Sequence, residues 1–359
     1  MAEKILLKGN EAIAMAAIHC GCDGYFGYPI TPQSEIMETL MEQKPWETTG
    51  MVVLQAESET SSINMIYGGA SCGKKVMTSS SSPGVSLMCE GLSYMAGAEL
   101  PCLVVNVMRG GPGLGTIQPG QGDYFQACKG GGHGDYKLIV LAPASAQEMY
   151  DFVEKAFDLA FKYRIPAMIL ADGVVGQMME KVELKKQKPR WTDAEIIKMS
   201  STWATTGKTP DRERNFITTL AMDAVSNEKI NHRLQDKYNK MEEDVMFETI
   251  QCEDAEHIFI AYGAVARICE SAVEMARNEG LKVGLLRPIT LSPFPKKAID
   301  KLVPHLKSIM TVEMSMGQMV EDVRLVVNGR IPVNFYGRVG GIVPSPEEVL
   351  NAFKKELNF

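Results

Sequence analysis

Two carboxylates stand two residues apart in Val53-Leu-Gln-Ala-Glu57-Ser-Glu59. The apolar stretch from Met51 to Leu54 reads as a strand leading into them. Small residues follow at Ser61, Ser62, Gly68, Gly69, Ala70, Ser71 and Gly73. Such a run lets a helix lie close against a flat ring or another backbone. A carboxyl group entering that tight, half-apolar place resists ionising, because desolvation disfavours the charged form. A proton-holding Glu is what acid–base chemistry near neutral pH needs. On these residues alone the simpler reading has both Glu exposed in a first helical turn, favoured there by the helix dipole.

Other candidate groups sit in loops. In Tyr28-Pro-Ile-Thr-Pro32, two prolines flank Thr31 and hold its hydroxyl in one direction. From spacing alone, a ligand loop and a rigid turn fit equally. Pro101-Cys-Leu-Val-Val-Asn-Val-Met108 reads as a buried strand ending in Arg109-Gly-Gly-Pro-Gly-Leu-Gly115. An Arg leaving a buried strand into a Gly-rich loop can clamp a carboxylate or diphosphate through two parallel bonds. His133, in Gly130-Gly-Gly-His-Gly-Asp135, could shuttle protons, although a structural hydrogen bond is the plainer use. His19-Cys20-Gly21-Cys22 reads as two small buried thiols at a helix end rather than a metal site.

Alternating strand and helix patterns must position these groups. Glu11–Ala17 reads as a helix capped by Asn10, Tyr25–Tyr28 as a strand, and Ser34 to about Gln43 as a helix. Lys75–Thr78 reads as a strand, followed by the hydroxyl-rich loop Ser79–Gly84 and a helix from Met88 to Ala98. Lys137–Ala142, Ser145–Tyr163 and Ala167–Ala171 give strand, helix and strand. This alternation predicts a doubly wound α/β domain over residues 1–185. Residues 186–252 read as a charged linker and helical arm, with Asn227–Glu248 one long helix laid over a neighbour. Residues 253–359 alternate again and read as a compact parallel α/β domain with one distinctive loop, Arg287–Pro295.

The chain has 359 residues and a net charge of −7, which argues against nucleic acid and anionic membranes as partners. No apolar run reaches the roughly 18–20 residues of a membrane helix. Glu3, Lys4, Lys8 and Glu11 make the N-terminus unlike a signal peptide, so a cytoplasmic location is expected. None of the eight Cys forms Cys-x-x-Cys, so no cluster motif is present.

Five motifs, in order, carry a resemblance. They are Tyr28-Pro-Ile-Thr-Pro32, Glu57-Ser-Glu59, Thr78 with Ser82-Pro-Gly84, Val107-Met-Arg-Gly-Gly-Pro112 and Arg287-Pro-Ile-Thr-Leu291. Together they resemble the alpha subunit of 2-oxoacid:ferredoxin oxidoreductases over nearly the whole chain. The loops 113–126 and 130–135 are most similar to the branched-chain subclass, which acts on 3-methyl-2-oxobutanoate. The resemblance implies a thiamine diphosphate-binding, pyrimidine-type domain followed by a transketolase C-terminal-like domain. It implies oxidative decarboxylation of a 2-oxoacid to acyl-CoA, with ferredoxin reduced. Glu59 would contact the aminopyrimidine ring, with Pro29, Ser82 and Gly84 as further cofactor contacts. Thr31, Arg109 and Gly110 would hold the substrate, and Glu57 would raise the Glu59 pKa by like-charge repulsion.

Two patterns are missing. Thiamine enzymes hold Mg²⁺ and diphosphate with Gly-Asp-Gly and a later Asn, and the nearest stretch here is Ala171-Asp-Gly173. Cluster-binding Cys motifs are also lacking. Mg²⁺ and the iron–sulfur clusters are therefore expected on partner chains of a hetero-oligomer. Those would be a thiamine diphosphate-binding beta subunit with gamma and iron–sulfur subunits, and coenzyme A would be co-substrate. Ferredoxins of such systems are usually acidic, so docking is expected on a partner rather than on this acidic chain. Two readings from other classes remain: a non-catalytic scaffold of a thiamine fold, and a transketolase-like transferase without a redox step. Leu114, Ile117, Tyr124 and Phe125, with no Lys or Arg between Gly110 and Cys128, favour a branched aliphatic substrate over 2-oxoglutarate, with pyruvate weakly accepted.

Overall fold

A computed structural model describes residues 4–357; Glu3 of the charged N-terminus lies outside the described residues. Seven strands form the larger sheet, in the order Thr290–Ser292, Ile139–Leu141, Pro166–Asp172, Cys102–Met108, Val76–Ser80, Gly24–Gly27 and Val52–Gln55. Every neighbouring pair is parallel except the first. The two central strands, Cys102–Met108 and Pro166–Asp172, are buried along their whole length and paired over seven residues. Helices on both faces account for their near-continuous apolar sequence. The Ala146–Tyr163 helix begins at Ser145, whose hydroxyl accepts the Glu148 N–H.

The second sheet has the order Val333–Gly337, Ser308–Glu313, His257–Ile260, Val283–Pro288 and Phe247–Ile250, and only the last strand is antiparallel. An antiparallel ribbon, Lys4–Lys8 with Met179–Glu183, completes the strands. No helix among the described residues is long and apolar enough to cross a membrane.

Several expectations need correcting. Asn10 is not a cap: the first helix spans Gly9–His19 behind Lys8. The Asn10 side chain is buried and donates to Pro32 O at 2.6 Å and Glu35 Oε2 at 2.9 Å. The charged helix does not run from Asn227 to Glu248. It spans Ala224–Lys240, tightens into a 3₁₀ turn at Met241–Asp244, and gives way to the strand Phe247–Ile250. Nor does it reach away from its own chain. Leu234 and Tyr238 are buried beneath it, and Lys237 and Arg233 pair with Glu99 at 2.9 and 2.5 Å. The Lys185–Arg190 stretch is also docked, through Arg190 to Asp23 at 3.1 Å and to Thr49 O at 2.8 Å.

The two sheets are joined by side chains and by strand exchange. Thr290–Ser292, from the second unit, pairs with Ile139–Leu141 of the first. Arg287 bridges to Glu148 at 2.6 Å and Glu248 at 3.2 Å, so it ties the two units together. Asp172 lies at the same junction. Its Oδ1 accepts from Val174 N and Val175 N, and its Oδ2 from Ala264 N and Gln121 Nε2.

Candidate active site

Thr31, Glu59, Ser82 and Arg109 follow four strands that are neighbours in the sheet: Gly24–Gly27, Val52–Gln55, Val76–Ser80 and Cys102–Met108. All four residues therefore leave the carboxyl ends of a parallel sheet, where open α/β folds bind ligands.

The Glu57/Glu59 pair separates by burial. Ser58 caps the Glu59–Ser71 helix by accepting the Ser61 N–H at 3.1 Å. That cap turns Glu59, the first helical residue, inward, where it is only 6% exposed. Glu57, before the cap, is exposed. The Glu59 carboxyl lies against Gly84 in the first turn of the Ser82–Gly97 helix. A Cβ at Gly84 would stand 2.5 Å from Glu59 Oε1 and 2.1 Å from Ser80 Oγ. In the strand and cap leading to this helix, Thr78 Oγ1, Ser80 Oγ and Ser81 Oγ are buried without a hydrogen-bond partner, and Ser80 Oγ lies at the cradle itself. An orphaned Ser80 hydroxyl beside a buried carboxyl, with two more unpaired hydroxyls in the same strand and cap, leaves polar groups that lack a ligand's donors and acceptors.

Around Thr31 the backbone is fixed rather than free. Gln33 Nε2 donates to Tyr28 O at 3.2 Å, and Gln33 Oε1 accepts from Ser79 Oγ at 2.5 Å. Tyr25 OH reaches the same Ser79 hydroxyl at 2.7 Å, and burial pushes the Tyr25 phenol up to about 12. Thr31 and Pro29 themselves are exposed.

Arg109 is 8% exposed, and its guanidinium is held by main-chain carbonyls. It donates to Thr31 O at 3.0 Å and Leu114 O at 3.2 Å, while its buried Nε has no partner. The cation thus couples the Thr31 loop to the loop that follows it, with its buried Nε–H left unpaired. Gly110 is close-packed, since a Cβ there would meet Thr116 Cγ2 at 2.7 Å. Ser82 Oγ accepts the Arg109 N–H at 3.1 Å and donates to Asp123 Oδ2 at 2.6 Å.

The substrate-loop expectation divides. Leu114 and Ile117 are exposed, at 82% and 58%. Tyr124 is fully buried and donates to Asp322 at 2.5 Å, so it ties this loop to the second unit; Phe125 is half-buried. His133 is exposed, with its carbonyl accepting from Ser93 and its ring edge-on to Tyr94. Cys20 and Cys22 are buried, and burial pushes the Cys20 thiol up to about 12. A cleft of about 530 Å³ opens between the Ala224–Lys240 helix, the loop around Lys137 and Phe294, but none of the expected site residues lines it.

Sequence reading missed Asn106 and Asp123. Asn106 is a lone amide inside an apolar strand, fully buried, and its Nδ2 donates to Asp123 Oδ2 at 3.0 Å. One polar residue in a buried strand was the available signal.

Residues 15–249 match the family model "Pyruvate flavodoxin/ferredoxin oxidoreductase, thiamine diP-bdg", and residues 255–349 match "Pyruvate:ferredoxin oxidoreductase core domain II". The chain belongs to the pyruvate flavodoxin/ferredoxin oxidoreductase family. This member is 46% identical to ketoisovalerate oxidoreductase subunit VorB of Methanothermobacter thermautotrophicus, over 98% of this chain and 97% of that protein. It is 38% identical to 2-oxoglutarate synthase subunit KorA of Methanocaldococcus jannaschii, over 96% of this chain and 98% of that protein. A solved 2-oxoglutarate:ferredoxin oxidoreductase from Magnetococcus marinus superposes with a TM-score of 0.87 at 28% identity. That match covers 99% of this chain but 66%, just under two thirds, of the other. A split-gene transketolase, at TM-score 0.58 and 12% identity over 98% of both chains, shares the fold. The motif-based expectation of a thiamine diphosphate-binding α/β fold in this oxidoreductase family therefore holds.

Proposed function

We propose that this family member is the subunit of a heteromeric 2-oxoacid:ferredoxin oxidoreductase that carries the aminopyrimidine side of the thiamine site and reads the substrate carboxylate. The observation that carries this reading is the cradle of Glu59, Gly84 and the orphaned Ser80 hydroxyl, with those of Thr78 and Ser81 in the same strand and cap. These residues fit an aminopyrimidine ring: a flat face against a glycine, a buried carboxyl for a ring nitrogen, and an unpaired Ser80 hydroxyl beside them. When bound, thiamine diphosphate supplies a nucleophilic carbon for the 2-oxo group and an electron sink for loss of CO₂. Glu59 holds a proton at the ring nitrogen and takes it back, in a place kept from bulk water by its burial. Pro29, Ser82 and Gly84 shape the walls. Thr31, Arg109 and Gly110 orient the substrate, with Arg109 Nε the donor still to be paired.

Mg²⁺, diphosphate and the clusters fall to partner chains in this reading. Asp172, the one Asp of the Ala-Asp-Gly stretch, already accepts four hydrogen bonds and has no lone pair aimed outward. Coenzyme A and ferredoxin would likewise meet the assembled enzyme through partners.

For the substrate we propose 3-methyl-2-oxobutanoate. Residues 111–127 include no Lys or Arg, and Leu114 and Ile117 offer apolar surface beside Arg109. A 2-oxoglutarate enzyme needs a cation for the distal carboxylate, whose burial unpaired is costly. The higher identity to the ketoisovalerate subunit points the same way. The assembled enzyme should show its highest kcat/KM for 3-methyl-2-oxobutanoate among that acid, pyruvate and 2-oxoglutarate. A clear preference for 2-oxoglutarate would overturn the substrate assignment, and no 2-oxoacid-dependent ferredoxin reduction would overturn the whole reading.

A further inference from the structure

We propose that Asp123 is a positioning residue for carboxylate recognition: acting through Ser82, it fixes the main chain from which the Arg109 side chain is aimed. The proposal rests on the reading of Arg109 as the substrate's cation.

Three side chains, Ser82, Asn106 and Asp123, form a closed network with the Ser82 and Arg109 main-chain N–H groups at the end of the Cys102–Met108 strand. Ser82 Oγ donates to Asp123 Oδ2 at 2.6 Å, leaving its lone pair to accept the Arg109 N–H at 3.1 Å. Asn106 Nδ2 donates to the same Asp123 oxygen at 3.0 Å, and Asn106 Oδ1 accepts the Ser82 N–H at 3.1 Å. A hydroxyl has one proton to place. With a carboxylate as acceptor, that proton goes to Asp123 in a short, charge-assisted bond. Without it, the nearest alternative acceptor is Arg109 O, at 3.3 Å. Turning the hydroxyl there would shift the backbone at the residue whose guanidinium must meet the substrate.

The neighbours of Asp123 explain why it holds a fixed place. Gln121 exchanges bonds with Met314 and donates to Tyr262 O. Gln318 takes the Phe125 N–H at 2.8 Å and donates to Gly122 O at 2.7 Å. Tyr124 donates to Asp322. Within residues 121–125, Asp123 turns its side chain to the Ser82–Arg109 end of the first unit, so the second unit braces the substrate cation through it. Burial pushes the Asp123 carboxyl up from its ordinary value, and the bonds from Ser82 and Asn106 oppose that.

The test uses the assembled enzyme with 3-methyl-2-oxobutanoate, reading KM and kcat separately. Asp123→Ala should raise KM about 10- to 100-fold, with kcat within about threefold, because misaiming costs substrate capture first. Asp123→Asn should restore most of the lost KM, since its amide oxygen accepts from both donors. In an Arg109→Ala background, Asp123→Ala should add no further rise in KM. The proposal is overturned if Asp123→Ala multiplies the Arg109→Ala defect by its full factor, or if it leaves KM unchanged. If Asp123→Ala does not assemble, the near-isosteric Asp123→Leu decides by the same criteria. An Arg109→Ala variant with wild-type KM would instead overturn the reading of Arg109 itself.

Discussion

Gly84 and the Glu59 carboxyl are in such close approach that no side chain can stand between them: a Cβ at Gly84 would lie 2.5 Å from Glu59 Oε1. The φ of Gly84 is not positive, so backbone freedom does not explain the glycine. Space does. Gly84→Ala should therefore separate folding from function. Alanine favours a helix over glycine by about 1 kcal/mol, so melting should change by only a few degrees. Turnover should fall about 100-fold, because the added methyl displaces Glu59. Steady-state assays beside thermal melts would check this, and unchanged turnover would sink the cradle.

Glu59→Gln should lower turnover by about 10²–10⁴ with the circular dichroism spectrum unchanged, as expected for loss of a proton-transfer group. Glu57→Gln should stay near wild type, since Glu57 faces solvent. The reverse ranking would move the proton-handling role to the other carboxylate.

Glu99 gives a pH-dependent prediction. Burial pushes its carboxyl up, but Lys237, Arg233 and Arg164 outweigh that and hold it below the ordinary glutamate value. Burial in turn pulls Lys237 below the ordinary lysine value despite Glu99. A depressed carboxyl stabilises the fold above its unfolded pKa of about 4.3, and that share is lost as pH falls through the folded value. Lys237→Met should cost about 1–3 kcal/mol at pH 7, the scale of a charged hydrogen bond. The gap between variant and wild type should shrink toward pH 3, as read by urea unfolding at each pH.

Asp172→Asn should loosen the two units. All four groups facing the carboxylate are donors, and an amide NH₂ would turn a donor toward some of them. We expect a loss of about 1–3 kcal/mol. Hydrogen exchange should rise first at Val174, Val175 and Ala264; uniform protection there would contradict the junction role.

Much of the α/β framework was legible because its signals are local. Ser145 before an apolar-periodic run marks the start of the Ala146–Tyr163 helix, and the uninterrupted apolar run at 102–108 marks a strand covered on both faces. The motif residues Glu59, Gly84, Thr31 and Arg109 were legible by type, and the structure brings them to one edge of the sheet. What failed to show was long-range. Asn10 looks like a cap until Pro32 and Glu35 are seen beside it. Arg109 looks like a free clamp, yet two carbonyls on separate loops already hold it. Tyr124 looks like pocket wall, but its partner, Asp322, lies 198 residues away in sequence. The Asn227–Glu248 charge pattern gave no sign that pairing with Val283–Pro288 would turn its end into a strand.

The Thr290–Ser292 strand sets a timetable for synthesis. The Ile139–Leu141 strand leaves the ribosome with one side of its ladder unpaired, and the strand that covers it follows only about 150 residues later. During that interval the nascent chain exposes a hydrogen-bonding edge of the kind that recruits other chains. Holdase chaperones should therefore engage this protein late in elongation and release it as residues 290–292 emerge.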